Sequence, residues 1–553
     1  MALGVLGDTD AAEAEPRDSR RWWVLGVMSL SILMVFLDNT VVNTALPAIS
    51  RELEASTSTL QWVVDSYSLI LAGLLLLGGT IGDRFGRRRW MLAGMSVFGL
   101  AAVGAALSPN AEVLIAFRAL QGVGAALVMP ATLSILTDVF PRDERAMAIG
   151  IWTGVGALGI GLGPAFGGYL VDNVGWAAVF WMHIPFVAAA LIGLMVIVPE
   201  SKDQRARSLD IPGGVLATVG LIALVYGIIR GSEAGWLSAE ILTAFTVSIG
   251  ALVAFAFTEL RSAEPMLPLR FFKQRDFTAS VLIIGLMMFA MFVSFFFLTQ
   301  YFQLVQGRSA LSAGLLILPT SAAMMVGAPI SGALVKRVGP RALISASMLL
   351  MTAGILMLTQ VEVDTSTTYV MAALATFGLA AGLGMAPLTD TVMAAVPVDD
   401  AGIGSAVNDV TRELGGALGI ALIGSLVNGW YRSNVDEALT GQVSAEVLEA
   451  SREGIGVATL TASQLPAEVA TTLTTTVNVA FVDAMTNGFF VSAGILLATL
   501  AVALTMLPTR IRETQATNEP VDAGEPVIEL GRTPELAPRG GGQPVPVPVR
   551  VEE

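Results

Sequence analysis

The chain has 553 residues, of which 54% are hydrophobic and only 14% are charged, and its formal net charge is −14. Soluble globular chains carry about 25% charged residues, so this deficit indicates that most of the chain meets lipid or other buried helices. Cysteine is absent and histidine occurs once, at His183, which excludes disulfides, thiolate zinc sites, cysteine nucleophiles and most histidine-rich metal sites.

Apolar stretches of bilayer-spanning length recur along the whole chain. Roughly 20 apolar residues cross the hydrocarbon core, and lipid offers no partner to an exposed strand edge, so each stretch is predicted to be helical. The first follows a polar, acidic segment at 1–19 and is too long for the apolar core of a cleavable signal, which predicts that it is retained as a span. Windows such as Trp23 to Asn43, Leu60 to Leu77, Met91 to Leu107 and Gly488 to Leu507 predict an all-α polytopic membrane protein with about fourteen spans.

Basic residues are distributed unevenly between the two sets of predicted loops. If the amino terminus is cytoplasmic, the inner loops hold Arg84, Arg87, Arg88, Arg89, Arg142, Arg145, Lys202, Arg205, Arg207, Arg261, Arg270, Lys273, Arg275, Lys336, Arg337 and Arg341. The outer loops then hold Arg51, Arg230, Arg308, Arg432 and Arg452. Because Lys and Arg accumulate on the cytoplasmic side, this bias of roughly three to one predicts that both termini are cytoplasmic.

The loop after the second predicted span carries a spaced pattern of glycines and charges. It reads Gly79-Thr-Ile-Gly82-Asp83-Arg84-Phe-Gly86-Arg87-Arg88-Arg89. Glycines let two helix ends approach closely, and Asp83 can accept charge-assisted bonds from an arginine or from the positive end of a neighbouring helix. Topology alone would explain the arginines but does not require the Gly-Asp-Arg-Gly spacing. A degraded copy without the aspartate runs from Gly332 to Arg341, as duplicated transporter halves predict.

This loop resembles the signature between the second and third spans of the major facilitator superfamily, where it latches the inner gate. Three further motifs resemble those of the fourteen-span drug:proton antiporter-2 branch, which includes multidrug and quaternary-ammonium exporters. They are Leu37-Asp38-Asn-Thr40-Val-Val-Asn43-Thr-Ala45-Leu46-Pro47 in the first span, Leu114-Ile-Ala-Phe-Arg118-Ala-Leu-Gln121-Gly122-Val-Gly124 in the fourth, and Gly159-Ile-Gly-Leu-Gly163-Pro164-Ala-Phe-Gly167-Gly168 in the fifth. The resemblance implies gating roles for Gly79, Asp83, Arg84, Gly86, Arg87, Gly159, Gly163, Pro164, Gly167 and Gly168.

The resemblance also implies a domain plan, namely a major facilitator fold of two six-helix bundles with two extra central helices. We expect a cytoplasmic tail at 1–19 and an amino-terminal bundle at 20–200. The two additional transmembrane helices are expected at 201–265 and the carboxy-terminal bundle at 266–507. That second bundle would carry an outer loop at about 430–482, either a plain exterior loop with some amphipathic helix or a lid. The tail at 508–553 has the Gly- and Pro-rich composition of a disordered segment.

Charged residues inside predicted spans are the strongest functional signal, because placing a charge at mid-membrane costs at least about 2.5 kcal/mol. Asp38 and Arg118 carry the proton-coupling prediction, with a purely structural salt bridge between them as the alternative. A buried carboxylic acid favours its neutral form, so an aspartate can bind a proton and release it when a cation arrives. Arg118 stays charged, and its expected role is to bias a nearby carboxylate or to order water.

Substrate-binding candidates combine acids with aromatic side chains, which together accommodate lipophilic cations. Asp409 and Glu413 are four residues apart and therefore share a helix face. The branch resemblance makes these two acids candidate cation-binding or protonation sites, although Arg412 between them could neutralise one of them. The other candidates are Asp65 with its neighbours Trp62 and Tyr67, and the later Phe295 and Tyr301. His183 stands before Pro185 where the branch usually has asparagine. A helix-packing or interfacial role is expected for it, with titration of the imidazole as the alternative.

The leading functional prediction is a proton-coupled antiporter that exports lipophilic, often cationic compounds across the cytoplasmic membrane by alternating access. The alternatives are a dedicated exporter of one natural product, amino acid or lipid, and a non-transporting membrane sensor. An enzyme is not expected, because the sequence has no phosphate-binding loop, metal cluster or recognisable triad. No cofactor, metal or nucleic acid is predicted. The expected partners are a small-molecule substrate, protons and the lipid bilayer, with the monomer as the working unit.

Overall fold

The computed structural model of the protein describes residues 20–202, 210–262, 264–396 and 401–509. The tail at 1–19, the basic residues Arg205 and Arg207, and positions 510–553 of the predicted disordered tail lie outside the described residues. Within these ranges the chain is helical and contains no strand, which confirms the predicted all-α class.

The described residues form seventeen α-helices, with one 3₁₀ turn at Leu269–Lys273 and one π-helical turn at Tyr301–Val305. The helices are α1 (Arg21–Glu52), α2 (Thr57–Phe85), α3 (Arg87–Ala106), α4 (Ala111–Val139), α5 (Arg142–Asn173), α6 (Ala178–Trp181), α7 (His183–Val196), α8 (Ile211–Ala234), α9 (Ala239–Arg261), α10 (Arg275–Gln300), α11 (Ala310–Val338), α12 (Pro340–Leu358), α13 (Thr367–Ala394), α14 (Ala401–Leu439), α15 (Ala445–Glu453), α16 (Ile455–Ser463) and α17 (Ala467–Met506).

Fourteen spans in the described part of the chain are long and apolar enough to cross a membrane. The sixth is built from α6 and α7 together, and the short helices α15 and α16 are not among them. The predicted number of spans is therefore confirmed. The predicted outer loop at about 430–482 is shorter than expected, because α14 continues to Leu439 and α17 already begins at Ala467. At 1.5 Å per residue, the 40 residues of α17 extend about 60 Å, well beyond a hydrocarbon core.

The two copies of the glycine and arginine pattern adopt the same local geometry. Gly86 lies between α2 and α3 with φ +116°, and Gly339 lies between α11 and α12 with φ +82°. Side chains with a Cβ rarely adopt this region, so glycine allows one helix to end and the next to begin after a single residue. The copies differ in their contacts: Arg87 pairs with Asp83, whereas Arg341 donates to the Leu507 carbonyl at 2.6 Å.

Helix packing brings distant parts of the chain together. α1 packs on α5, α2 on α4 and α14, and α10 on α14. The additional helices α8 and α9 pack on each other, and α8 also contacts α2 and α14. Between α5 and α11 the backbones touch: a Cβ on Gly168 would meet the Ala310 carbonyl oxygen, and one on Gly314 would meet the Pro164 carbonyl oxygen. Small residues of this kind let membrane helices approach closely.

Candidate functional site

A buried ion pair joins α1 to α4. The Arg118 Nη1 donates to Asp38 Oδ2 at 2.7 Å, and the two side chains are 1% and 0% exposed. The same guanidinium donates to Gln121 Oε1 at 3.0 Å and to the Val63 carbonyl at 3.1 Å, and it lies 4.4 Å from the centre of the Tyr67 ring. Arg118 is thus held by three hydrogen bonds and by the Tyr67 ring, while Asp38 keeps its second oxygen, Oδ1, for another partner.

His183, the first residue of α7, faces that second oxygen. Its Nε2 lies 3.4 Å from Asp38 Oδ1, and the histidine is completely buried. Its Nδ1 lies 3.2 Å from the Phe180 carbonyl oxygen, and the Phe98 ring of α3 meets the imidazole edge-on at 5.4 Å. His183 therefore packs against Phe98, as expected for a packing role, and also contacts Asp38 of the ion pair. Neither Nε2 nor Oδ1 has a hydrogen-bond partner among the described residues.

A cavity opens beside Asn39, one residue along α1 from Asp38 of the ion pair. It is lined by Phe36, Asn39, Thr40, Asn43, Met288, Met291, Phe292, Phe295, Met324, Met385, Arg412 and Glu413. Four methionines and three phenylalanines make most of this wall apolar and adaptable. Both carboxylate oxygens of Glu413 accept from Asn39 Nδ2, at 3.1 and 3.3 Å. The residue that follows Asp38 therefore holds the acid of the cavity.

Arg412 gives the same wall a positive charge. Its Nε is buried and lacks a hydrogen-bond partner in the part of the chain that the structure describes. No ion pair joins Arg412 to Glu413 or to Asp409 within those residues, although both acids are close in sequence. The cavity thus offers an acid and a guanidinium that do not neutralise each other directly.

The structure brings only part of the predicted substrate set to this cavity. Glu413 and Phe295 line it, whereas Trp62, Asp65, Tyr67, Tyr301 and Asp409 are not among its lining residues. Trp62 packs against Tyr226 of α8, with 6.2 Å between ring centroids. The Tyr301 hydroxyl donates to the Glu362 carbonyl at 2.7 Å. These five side chains keep their predicted roles only as expectations.

Asp65 is a separate case, since it is completely buried in α2. Within the described ranges neither of its carboxylate oxygens has a hydrogen-bond partner. Its neighbour Tyr67 lies under Arg118, with 4.4 Å from the guanidinium to the ring centre, and does not line the cavity.

The loop motif after α2 is held by a small charge network. Arg87 Nε donates to Asp83 Oδ1 at 2.7 Å, and Arg87 Nη1 pairs with Asp138 at the end of α4. Arg84 lies 5.7 Å from the Phe85 ring centre. A Cβ on Gly86 would meet the Glu200 carboxylate, and one on Gly79 would rest against Pro130 at an ordinary 3.4 Å. This network ties the ends of α2, α3 and α4 together.

The glycines of the fifth-span motif face two neighbours. On one side, a Cβ on Gly159 would meet the Leu33 carbonyl oxygen at 3.0 Å, one on Gly163 would meet Thr40, and one on Gly167 would meet Val41 at 2.9 Å, all on α1. On the other side, Gly168 and Pro164 touch α11. The motif therefore lets α5 lie tightly between α1 and α11.

Sequence reasoning missed Asn39, Asp138 and the contact of His183 with Asp38. Asn39 was within a quoted motif, and its position beside Asp38 was the available signal. Asp138 is remote in sequence from Arg87, so no local spacing could have paired them. His183 offered one signal, namely a titratable residue where the branch usually has asparagine.

Comparison with known proteins agrees with this architecture. The Major Facilitator Superfamily model matches residues 28–420. The Tetracenomycin C resistance and export protein of Streptomyces glaucescens is 34% identical over 499 residues, covering 88% of this chain and 91% of its own length. The Multidrug efflux pump LfrA of Mycolicibacterium smegmatis is 35% identical over 485 residues, covering 88% and 96%.

Solved structures support the fold alone, because their sequences are distant. The crystal structure of a bacterial homolog to the human lysosomal transporter Spinster, inward-facing and occupied, matches with a TM-score of 0.58 at 19% identity, covering 88% of this chain and 97% of that one. The D-xylose-proton symporter matches with a TM-score of 0.56 at 13% identity, covering 89% and 99%.

Proposed function

This chain belongs to the Major Facilitator Superfamily, and from that premise we propose that it is a proton-coupled antiporter that exports lipophilic, often cationic compounds. The names of its relatives support export, since one is a tetracenomycin C resistance and export protein and another a multidrug efflux pump. We place it in the cytoplasmic membrane with both termini inside, on the charge bias of its loops. It acts as a monomer in lipid and without catalytic chemistry of its own.

The buried pair of Asp38 and Arg118 is the observation that carries this proposal. The ion pair lies inside a membrane-spanning bundle and is at most 1% exposed. Replacing such a buried pair by apolar groups is often neutral or stabilising, so stability alone does not explain why the chain has it. Asn39 connects the pair to the cavity, since it follows Asp38 and binds Glu413. A change of protonation at Asp38 can therefore alter the position of Glu413, the acid that would bind a cationic substrate.

Alternating access needs one pathway to close while the other opens. We assign the two moving bodies to the bundles at 20–200 and 266–507, with the pair at 201–265 beside them. The charge network of Asp83, Arg87 and Asp138, together with Arg84 and the glycines Gly79 and Gly86, acts as the inner latch. The close-packed α5, with Gly159, Gly163, Pro164, Gly167 and Gly168, acts as the seam along which the bundles tilt.

The charge balance limits how such an antiporter is driven. A monovalent cation that leaves in exchange for one proton moves no net charge, so that exchange draws on the pH gradient alone. If a second proton enters, one net charge moves inward, and each such charge gains about 2.3 kcal/mol per 100 mV.

A second candidate function is the dedicated export of one acidic or amphoteric natural product. The observation that favours it is the Arg412 guanidinium in the cavity wall, whose Nε has no partner within the described residues. Arg412 is partly buried, and a ligand with an acidic group could accept from the Nε that lacks a partner. Under this function Arg412, and not Glu413, would supply the main contact to the substrate.

The test is exchange by the purified full chain in liposomes with an imposed pH gradient. Tetraphenylphosphonium and ethidium serve as unrelated lipophilic cations, and an acidic aromatic dye serves as the contrasting substrate. We expect gradient-driven movement of both cations that a protonophore abolishes. Asp38→Asn should reduce this movement to background, because the exchange would lose its proton-binding carboxylate.

The matched control is Asp364→Asn, which removes an exposed aspartate from the turn between α12 and α13. It should exchange at the wild-type rate. Undiminished exchange in Asp38→Asn would refute the proton-coupling role. Movement of the acidic dye alone would replace the multidrug function by the dedicated one.

A further inference from the structure

The contact between His183 and Asp38 contains two groups that cannot bond to each other without an added proton. A carbonyl oxygen only accepts, so the contact of Nδ1 with the Phe180 oxygen at 3.2 Å requires the imidazole proton on Nδ1. In that neutral tautomer Nε2 carries a lone pair, and it faces Asp38 Oδ1 at 3.4 Å. Two acceptors then face each other in a site without exposure to water.

The opposite tautomer does not solve the problem. A proton on Nε2 would satisfy Asp38 Oδ1, but it would leave the lone pair of Nδ1 against the Phe180 oxygen. One added proton satisfies both contacts, either on Nε2, because imidazolium donates from both nitrogens, or on Asp38 Oδ1, which then donates to the Nε2 lone pair. Both hydrogen bonds therefore form only when the site holds one proton more than neutral histidine and ionised Asp38 supply.

Among the described residues, few polar groups surround His183 that could otherwise satisfy its second nitrogen. The charged groups that face it are Asp38 from α1 and Arg118 from α4, while α3 contributes the apolar ring of Phe98. A further polar neighbour is the Phe180 carbonyl oxygen, three residues earlier in the chain. With neutral histidine, Arg118 and Asp38 cancel, so the cluster of Asp38, Arg118 and His183 is uncharged. With one added proton its net charge is +1.

We infer that His183 is a proton-carrying residue of the coupling site, and that the proton shared between its Nε2 and Asp38 Oδ1 is displaced when a cation occupies the cavity. The inference rests on the proposed function. The proton comes from the water on one side of the membrane and leaves to the water on the other, so no further reactant takes part. Like charges repel most strongly where water is excluded, which makes a positive cluster and a cation in the neighbouring cavity mutually unfavourable.

The chain offers an unusually direct measurement, because His183 is its one histidine. Protein labelled with ¹⁵N-histidine, purified through a tag free of histidine and placed in lipid nanodiscs, gives one pair of imidazole nitrogen signals. We expect these signals to change from the doubly protonated form towards a single tautomer when tetraphenylphosphonium is added at constant pH. Signals that stay in one neutral tautomer from acidic to alkaline pH, with and without the cation, would overturn the inference.

A second measurement uses His183→Asn, which keeps a donor near Asp38 but cannot gain a proton. In weakly buffered detergent solution, addition of tetraphenylphosphonium to the wild type should release protons that a pH dye counts. Binding linkage predicts about one proton fewer per bound cation in the variant. His183→Gln provides the same comparison if the asparagine variant fails to fold. Equal proton release in wild type and a folded variant would assign His183 a packing role only.

The two measurements separate failure of this inference from failure of the proposed function. If the proposed antiport is wrong, the wild type itself releases no proton and shows no gradient-driven exchange. If only the inference is wrong, wild type and His183→Asn release the same number of protons, and their exchange rates follow the same dependence on pH.

Discussion

The cluster of Asp38, Arg118 and His183 and the cavity beside it both contain an acid and an arginine, but they arrange them differently. In the cluster the two charges meet at 2.7 Å and are hidden from water. In the cavity Glu413 is held by Asn39, while the Nε of Arg412 lacks a partner in the described part of the chain. A paired, dry site accommodates a proton and little else. A site with separated charges and an adaptable apolar wall leaves room for an organic ion.

The largest expected effect comes from breaking the pair in the cluster. Arg118→Gln leaves the Asp38 carboxylate buried without its cation, and loss of one partner of a buried pair costs about 3–5 kcal/mol. We expect a large fall in the thermal unfolding midpoint in detergent and complete loss of exchange. The double variant Asp38→Asn with Arg118→Gln removes both charges, so it should recover most of the stability but none of the exchange.

The double variant decides whether the pair is structural or functional. A purely structural salt bridge predicts that exchange returns together with stability. Recovery of both would therefore show that the cluster takes no part in proton coupling. Recovery of stability without exchange would show that transport itself needs the charged pair.

Most of the fold could be predicted from the sequence, because apolar windows of bilayer length leave little choice except helices. The sixth span shows the limit, since α6 and α7 form it in two pieces around Met182. The predicted outer loop at about 430–482 shows a second limit, because its Ala- and Thr-rich sequence is compatible with either a loop or a helix. The structure continues α14 to Leu439 and starts α17 at Ala467.

The site was less predictable, because it depends on which side chains meet across helices. The sequence marked Asp38 and Arg118 as buried charges, and their contact follows from the packing of α1 near α4. The tight spacing of Asp65 between Trp62 and Tyr67 indicated a cavity face, whereas Trp62 turns to α8 and Tyr67 lies under Arg118. Residues five positions apart on a helix do not share a face, and only the neighbouring helices determine where each one points.

An intermediate effect is expected from changing the charges of the cavity one at a time. Glu413→Gln keeps a side chain that Asn39 can bind but removes the negative charge. A charged hydrogen bond contributes about 1.5–3 kcal/mol, so the affinity for tetraphenylphosphonium should fall roughly 10- to 100-fold. Stability should change little, because the side chain already borders open space. Binding is measured by calorimetry on the purified protein.

Arg412→Gln is the matched partner of that variant, since it removes the neighbouring opposite charge. It should leave cation affinity unchanged or improve it, because a repelling charge is lost from the wall. Binding of an acidic aromatic dye should weaken about tenfold or more, as expected for a lost charge-assisted contact. If Arg412→Gln weakens binding of the acidic dye while Glu413→Gln leaves tetraphenylphosphonium binding unchanged, the substrate is acidic and the dedicated exporter is the better function.

The smallest expected effect leaves both charged sites intact and changes only the packing between α5 and α11. In Gly314→Ala the new methyl group would meet the Pro164 carbonyl oxygen. The contact is with backbone, so α5 and α11 must move apart to admit the methyl group, and we expect a cost in the usual overpacking range of about 1–3 kcal/mol. Gly332→Ala is the control on the same helix, since a Cβ there has no described atom within 4 Å.

Gly314→Ala and Gly332→Ala test whether the cluster and the cavity are coupled through charge alone or also through movement of the helices that carry them. If α5 is the seam, Gly314→Ala should bind tetraphenylphosphonium and release protons like the wild type, yet exchange more slowly, about tenfold for each 1.4 kcal/mol added to the barrier. Gly332→Ala should match the wild type in all three measurements. Normal exchange in Gly314→Ala would show that the close contact of α5 with α11 is not part of the transport cycle. The coupling would then be confined to α1, where Asp38 and Asn39 are consecutive residues.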